Sequence, residues 1–257
     1  MGCVKLHILD EQYKNTELRV SYFNKELTPN FCAENPRSVR VYAWCGNNPV
    51  NRVDPTGLID YKINGNGYIY DSSSLWDKIK RLWNGPDKTD KLIAPNGKTL
   101  EMSAGTMKDF TDKKDDNGMK IGQSFKIENF DVAEQVHEFL SENVKKVEYG
   151  VVDNIKNGVA SSTITTTLKY EGNNAHIVAE NLLVSGADVL QITHNHPKDV
   201  PLGAFTTLSP EDKGAFNYLN TKFPNSFIEH RIYEPNTKMY IYYNGNGIIK
   251  TTPKKLR

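Results

Sequence analysis

The alternation of apolar and polar positions is most regular in the second half of the chain. Residues 187–193, ADVLQIT, alternate and carry Val, Leu and Ile, which predicts a buried strand running into His194. Upstream, DVAEQVHEFLSEN predicts an amphipathic helix at 131–143, followed by strands at 145–154 and 159–170 and a helix at 174–184. Downstream, a helix is expected at 209–222 and strands at 226–234 and 238–244, where EHRIYEP and KMYIYYN turn around Pro235 and Asn236. The last residues, TTPKKLR, are expected to fray. This order predicts an α+β fold, a mixed and mostly antiparallel sheet flanked by helices.

The pattern before residue 128 is mixed. DYKINGNGYIYD reads as a strand pair turned at Asn64-Gly65-Asn66-Gly67. SSSLWDKIKRLWNGP reads as a short helix stopped by Gly85-Pro86, with Trp76, Ile79, Leu82 and Trp83 on one face. That face suits core packing; a membrane-surface helix is the alternative, because Lys78, Lys80 and Arg81 are adjacent. DFTDKKDDNGMK, 109–120, reads as a solvated charged loop.

Composition narrows the function classes. The 257 residues leave room for one or two domains, and 38% apolar residues support an ordinary core. A net charge of +1 offers no electrostatic footprint for nucleic acid or anionic lipid, so neither is expected as a partner. No run approaches a membrane span, MGCVKLHILDEQYK has no signal-peptide apolar region, and Met1-Gly2 is not followed by the Ser or Thr of a myristoylation signal.

The candidate chemistry lies in THNHPKDVPLGAFTTLSPED, 193–212. Residues i and i+2 of a strand face the same way, which points His194 and His196 at one place before Pro197 ends the strand. Ser209 suits an N-cap, Pro210 the first helical position, and Glu211 and Asp212 the first turn. Asp212 can therefore face the strand end, although Ser209 and Asp212 also read as a plain capping box and the histidines as a polar loop mouth. Cys3, Cys32 and Cys45 all precede this region, which removes thiol-ligated deaminases and Cys-His hydrolases. His137-Glu138 lacks the second histidine of H-E-x-x-H, and His137 is expected exposed or half-buried. His176 and His230 are expected as packing residues, and His7 carries no spacing signal.

Together these residues resemble the JAB/MPN (JAMM) metalloprotease family, whose pattern is an upstream glutamate, then H-x-H-P, then S-x-x-D. Here the pattern maps to Glu148, His194, His196, Pro197, Ser209 and Asp212. The HNHP form is similar to JAB domains of bacterial RadC-type proteins and polymorphic toxins. The spacer from His196 to Ser209 is several residues longer than the family's, and GAFTT is expected as an inserted loop over the site. The resemblance implies one catalytic Zn2+ held by His194, His196 and Asp212, with a fourth position left for water whose pKa falls to about 7. It further implies that Glu148 carries the proton from water to the leaving amine, that Ser209 stabilises the oxyanion, and that a peptide or isopeptide bond is hydrolysed. Glu171 and Glu180 are the alternative positions for the glutamate.

A second resemblance lies upstream. VRVYAWCGNNPVNRVDPTGL, 39–58, is turn-rich by its Asn-Pro and Asp-Pro pairs, and it resembles the end of Rhs-type (YD-repeat) cores of polymorphic toxins. Pro49, Asp54, Pro55, Gly57 and Leu58 fill the fixed positions of P-x-x-x-x-D-P-x-G-L. The resemblance implies aspartyl self-cleavage between Leu58 and Ile59 that depends on Asp54. It divides the chain into a core remnant at 1–58, a linker or pre-toxin region at 59–128, and a JAB-like metallopeptidase toxin domain at 129–257. The implied partners are a cognate immunity protein, a target-cell protein or peptide substrate, and a parent Rhs-type shell or secretion machinery that delivers the toxin into a target cell. Two other functions stay open: a metal-dependent nuclease toxin, and a catalytically inactive JAB-like binding module.

Overall fold

The computed structural model describes residues 3–6, 20–23, 60–73, 89–169, 172–197 and 208–255. The chain divides into two compact units, Met1–Gly57 with Ser74–Asp87, and Leu58–Ser73 with Lys88–Arg257. In the first unit the described residues form an antiparallel pair, β1 (Cys3–Leu6) and β2 (Val20–Phe23). Asp54, Leu58, Ile59, Glu171, the GAFTT segment and most of the helix expected after Ser72 lie outside the described residues.

The second unit begins with a four-stranded sheet. Its strands are β3 (Asp60–Ile63), β4 (Ile69–Asp71), β5 (Thr89–Ile93) and β6 (Thr99–Ser103), in the order β4-β3-β5-β6. The expected β3–β4 hairpin forms because Asn64 Oδ1 accepts from the N–H groups of Asn66 and Tyr68 while Gly67 takes φ +80°.

The larger sheet has eight strands. In chain order the elements are β7 (Lys108–Lys114), β8 (Lys120–Ile127), α1 (Phe130–Asn143), β9 (Tyr149–Lys156), β10 (Val159–Thr166), α2 (Ala175–Val184), β11 (Asp188–Asn195), α3 (Pro210–Lys222), β12 (Glu229–Glu234), β13 (Met239–Asn244) and β14 (Gly247–Pro253). The strand order is β14-β13-β12-β11-β9-β10-β8-β7. Every pair is antiparallel except β11–β12, whose parallel pairing is bridged by the α3 crossover. The fold is thus α+β with mostly antiparallel pairing, as the sequence pattern predicts.

Strand alternation sorts the core into two faces. Tyr149 and Val151 of β9 pack with Ala133, Val136 and Leu140 of α1, while Val152 packs with Ala175 and Ala179 of α2 and Leu219 of α3. The small sheet shares the α1-side core: Tyr61, Ile63, Ile69, Leu92 and Met102 pack with Phe125, Ile127 and Val147. Gln123 extends this junction, since its Oε1 accepts from Ile69 N–H at 3.0 Å and its Nε2 donates to Ile69 O at 2.9 Å.

Three expectations are corrected. The charged stretch 109–120 is not a loop: most of it forms the edge strand β7 and the turn into β8. Its charges pair on the exposed surface, Lys126 with Asp109 at 3.0 Å and Lys120 with Asp112 at 2.9 Å, as edge strands tolerate. The last residues do not fray through 255: β14 pairs with β13, and Lys254 Nζ reaches Glu138 and Glu142 of α1 at 3.2 and 2.6 Å. His137 is buried rather than exposed, because its Nε2 meets Tyr149 O at 3.2 Å; burial pushes its imidazole down to about 3.

Candidate metal centre

β11 carries Ile192 and His194 toward α2 and α3, with His196 just past its end on the same side, and turns Thr193 and Asn195 to the opposite face. The α3 helix then begins across from the strand end. Ser209 is its N-cap, with Oγ accepting from Asp212 N–H at 3.0 Å, and Asp212 Oδ2 accepts from Ser209 N–H at 3.3 Å. The capping box is therefore present, and it is also what aims the third side chain. Asp212 Oδ1 stands 3.0 Å from His194 Nε2 and Oδ2 stands 3.6 Å from His196 Nε2. The longer spacer does not displace Asp212: ligand atoms of His194, His196 and Asp212 all lie within 4.8 Å of one another.

This group suits a metal on its own geometry. Ligand atoms about 2.0–2.1 Å from a tetrahedral zinc stand roughly 3.3 Å apart, close to the separations seen here. His194 Nε2 is buried, with a carboxylate oxygen of Asp212 3.0 Å away. An imidazole nitrogen and a carboxylate oxygen brought together in that way are what a shared cation would satisfy. In their own field, burial opposes the charge on His194, but Asp212 and then Glu148 outweigh it and raise the imidazole above its ordinary value. Burial likewise opposes the Asp212 charge, but His194 and His196 hold that carboxyl far below the usual carboxylate range.

Glu148 immediately precedes β9, with Oε1 4.0 Å from His194 Nε2. Its backbone is fixed on both sides, N–H donating to Lys169 O at 3.1 Å and C=O accepting from Thr166 Oγ1 at 2.8 Å. Of the alternative glutamates, Glu180 sits on α2 and pairs with Lys222 of α3.

A cleft of about 520 Å³ opens over these groups, lined by Glu148, His194, His196, Ser209 and Asp212, with Ile192, Ala175, Ala215 and Tyr243 among its walls. His176 also lines it from the exposed side of α2 and so is not a packing residue. His230 does pack: its ring lies edge-on to Phe216 at 4.8 Å and Tyr243 at 5.6 Å, and burial lowers it to about 4.

Two asparagines complete the arrangement without having stood out in the sequence. Asn195, fully buried between the histidines, accepts from Tyr149 N–H at 2.8 Å and donates to Val147 O at 3.3 Å and His196 O at 3.1 Å. It thus ties the segment around Glu148 to the histidine strand. Asn173, in the loop before α2, holds the Glu148 carboxylate. Only the run of Gly172, Asn173 and Asn174 hinted at a turn there.

Strand histidines and a helix-start aspartate on this mixed sheet form a candidate metal site. Residues 125–219 match the family model described as JAB-like toxin 1, so the sequence comparison supports a JAB-like toxin domain over that stretch. Comparison with curated proteins and with solved structures gives no match. No helix among the described residues is long and apolar enough to cross a membrane.

Proposed function

We propose that the chain is a polymorphic-toxin effector whose JAB-like domain is a zinc-dependent peptidase or isopeptidase, hydrolysing an amide bond in a target-cell protein or peptide. The observation that carries this reading is the convergence of His194, His196 and Asp212 within 4.8 Å, beneath an open cleft and beside Glu148. A zinc ion held by those three residues would supply Lewis acidity and lower the pKa of a water to about 7. Glu148 accepts the proton of the attacking water and delivers it to the leaving nitrogen. Ser209 uses an oxygen lone pair for Asp212 N–H, and its hydroxyl proton is not spent in that bond; it donates to the developing oxyanion. Ala175, Ile192 and Ala215 reduce water access at the cleft wall.

The toxin unit is taken to begin at the Leu58–Ile59 boundary, after self-cleavage that depends on Asp54, and to be delivered by an Rhs-type shell or secretion machinery. A cognate immunity protein that covers the cleft is the corresponding partner. The test is zinc content and toxicity of the full chain. Wild type should bind one zinc per chain and kill on expression, while His196→Ala should fold, lose the zinc and not kill. New protein amino termini present with wild type and missing with His196→Ala would identify the substrate. A folded His196→Ala that still kills would overturn the mechanism, and metal-dependent degradation of plasmid or RNA would replace it with a nuclease.

A further inference from the structure

Asn173 is built to aim Glu148. Its Nδ2 donates to Glu148 Oε1 at 2.5 Å, while its own Oδ1 accepts from Ala175 N–H at 2.7 Å. The second of these bonds satisfies a donor at the start of α2, where Asn174 occupies the N-cap position at φ +63° and makes no side-chain cap. The amide is therefore fixed at one end by the helix and grips the carboxylate with the other. Gly172 N–H completes the cradle, donating to Glu148 Oε2 at 2.6 Å. Both carboxylate oxygens are thus held by donors from one loop, which removes the rotation that a glutamate otherwise retains.

The strand beneath is shaped to admit this amide. A Cβ on Gly150 would meet Ala175 Cβ at 2.6 Å, Asn173 Oδ1 at 2.7 Å and Asn173 Cγ at 3.0 Å. Asn173 therefore rests against bare backbone two residues beyond Glu148, where any side chain would push it away. The pairing of a glutamate with a glycine two positions later thus has a physical reason: the first is the group held, the second is the space for the group that holds it.

We propose that Asn173 is a positioning residue for the reaction, acting only through Glu148 by fixing its carboxylate beside the His194, His196 and Asp212 group. The assignment rests on the metallohydrolase reading. It is tested on the full chain with Glu148→Gln, Asn173→Asp, Asn173→Ala and the double variant Glu148→Gln with Asn173→Asp. Asn173→Asp keeps the shape and the oxygen that caps α2, and replaces the donor to Glu148 with a carboxylate oxygen that repels it, while Asn173→Ala removes the donor without adding charge. The readouts are cooperative thermal unfolding, the visible absorption of the cobalt(II)-loaded protein, and cell killing.

Asn173→Asp and Asn173→Ala should unfold cooperatively and still bind cobalt. Their spectra should change as that of Glu148→Gln does, and killing should fall about a hundredfold, the scale of a misplaced reacting group. The double variant should be no worse than Glu148→Gln alone. The assignment is overturned if Glu148→Gln alters spectrum and killing while a folded Asn173→Asp alters neither, or if the two losses add. If Glu148→Gln itself alters neither, the metallohydrolase reading falls and takes the assignment with it.

Discussion

Arg231 is the residue whose loss should cost the fold most on the face away from the cleft. Its Nη2 lies 2.8 Å from Glu134 Oε1, its Nε donates to Thr193 Oγ1 at 2.7 Å, and its guanidinium sits 4.2 Å from the centre of the Tyr240 ring. Arg231 and Glu134 are 8% and 7% exposed, so water compensates little when either is removed. Arg231→Met keeps most of the volume and leaves the carboxylate of Glu134 with Lys255, a largely exposed amine 3.5 Å away. Removing one partner of a buried pair costs about 3–5 kcal/mol, and the Lys255 contact places this case near the lower end. A loss of about 3 kcal/mol corresponds to a drop in melting temperature of about 6–12 °C for a domain of this size. Urea titration and calorimetry at neutral pH read both quantities. Glu134→Gln added to Arg231→Met should recover more than half of the loss, because the desolvated charge goes with it. An Arg231→Met protein within about 1 kcal/mol of wild type would refute the reasoning, since it would place the pair among the weak surface bridges. So would a double variant no more stable than the single one.

Two other outcomes follow from the buried groups. Burial pushes the Asp153 carboxyl up to about 6, with Glu134 adding and Ser162 and Arg231 opposing. Its folded value lies above the unfolded one, so the folded state binds the proton more tightly and stability is lost as pH rises from about 4 to 6. Asp153→Asn, which keeps an acceptor for Ser162 Oγ, should therefore be more stable than wild type at pH 7 by up to about 3 kcal/mol and equal to it near pH 4. Denaturant titrations across that range check this, and an unchanged pH profile would refute it. A chain cut to 129–257 should fail to unfold cooperatively, because it lacks Ile69, Leu92, Met102, Phe125 and Ile127 from the shared core. Each buried side chain of that kind contributes roughly 1.5–3 kcal/mol, and their sum is comparable to the 5–15 kcal/mol stability of a typical domain. A sharp thermal transition of that fragment, followed by circular dichroism, would show that the small sheet is dispensable.

Local pattern by itself determined the elements that hold the site. Alternation in 187–193 gave the strand that turns His194 and His196 to one face, and Ser209-Pro210 gave the start of α3, because strand period and capping chemistry are written in neighbouring residues. The fate of 109–120 was not legible, since an edge strand exposed on both faces has the same charged composition as a loop. The terminal strand was hidden in the same way, its pairing to β13 and the reach of Lys254 to α1 being long-range events.

Tertiary structure also brought together groups that local pattern leaves apart. Ser209 and Asp212 form the capping box, and the crossover that brings α3 back over β11 also sets the Asp212 carboxylate against the histidines. Glu148 stands beside them, and Glu180 does not, through contacts from residues distant in the sequence, Asn195 holding the neighbouring Tyr149 N–H and Gly172 and Asn173 holding the carboxylate. A single amide side chain carries no periodicity that marks it in advance. Its role exists only where the folded backbone brings it against Gly150 and the carboxylate it holds.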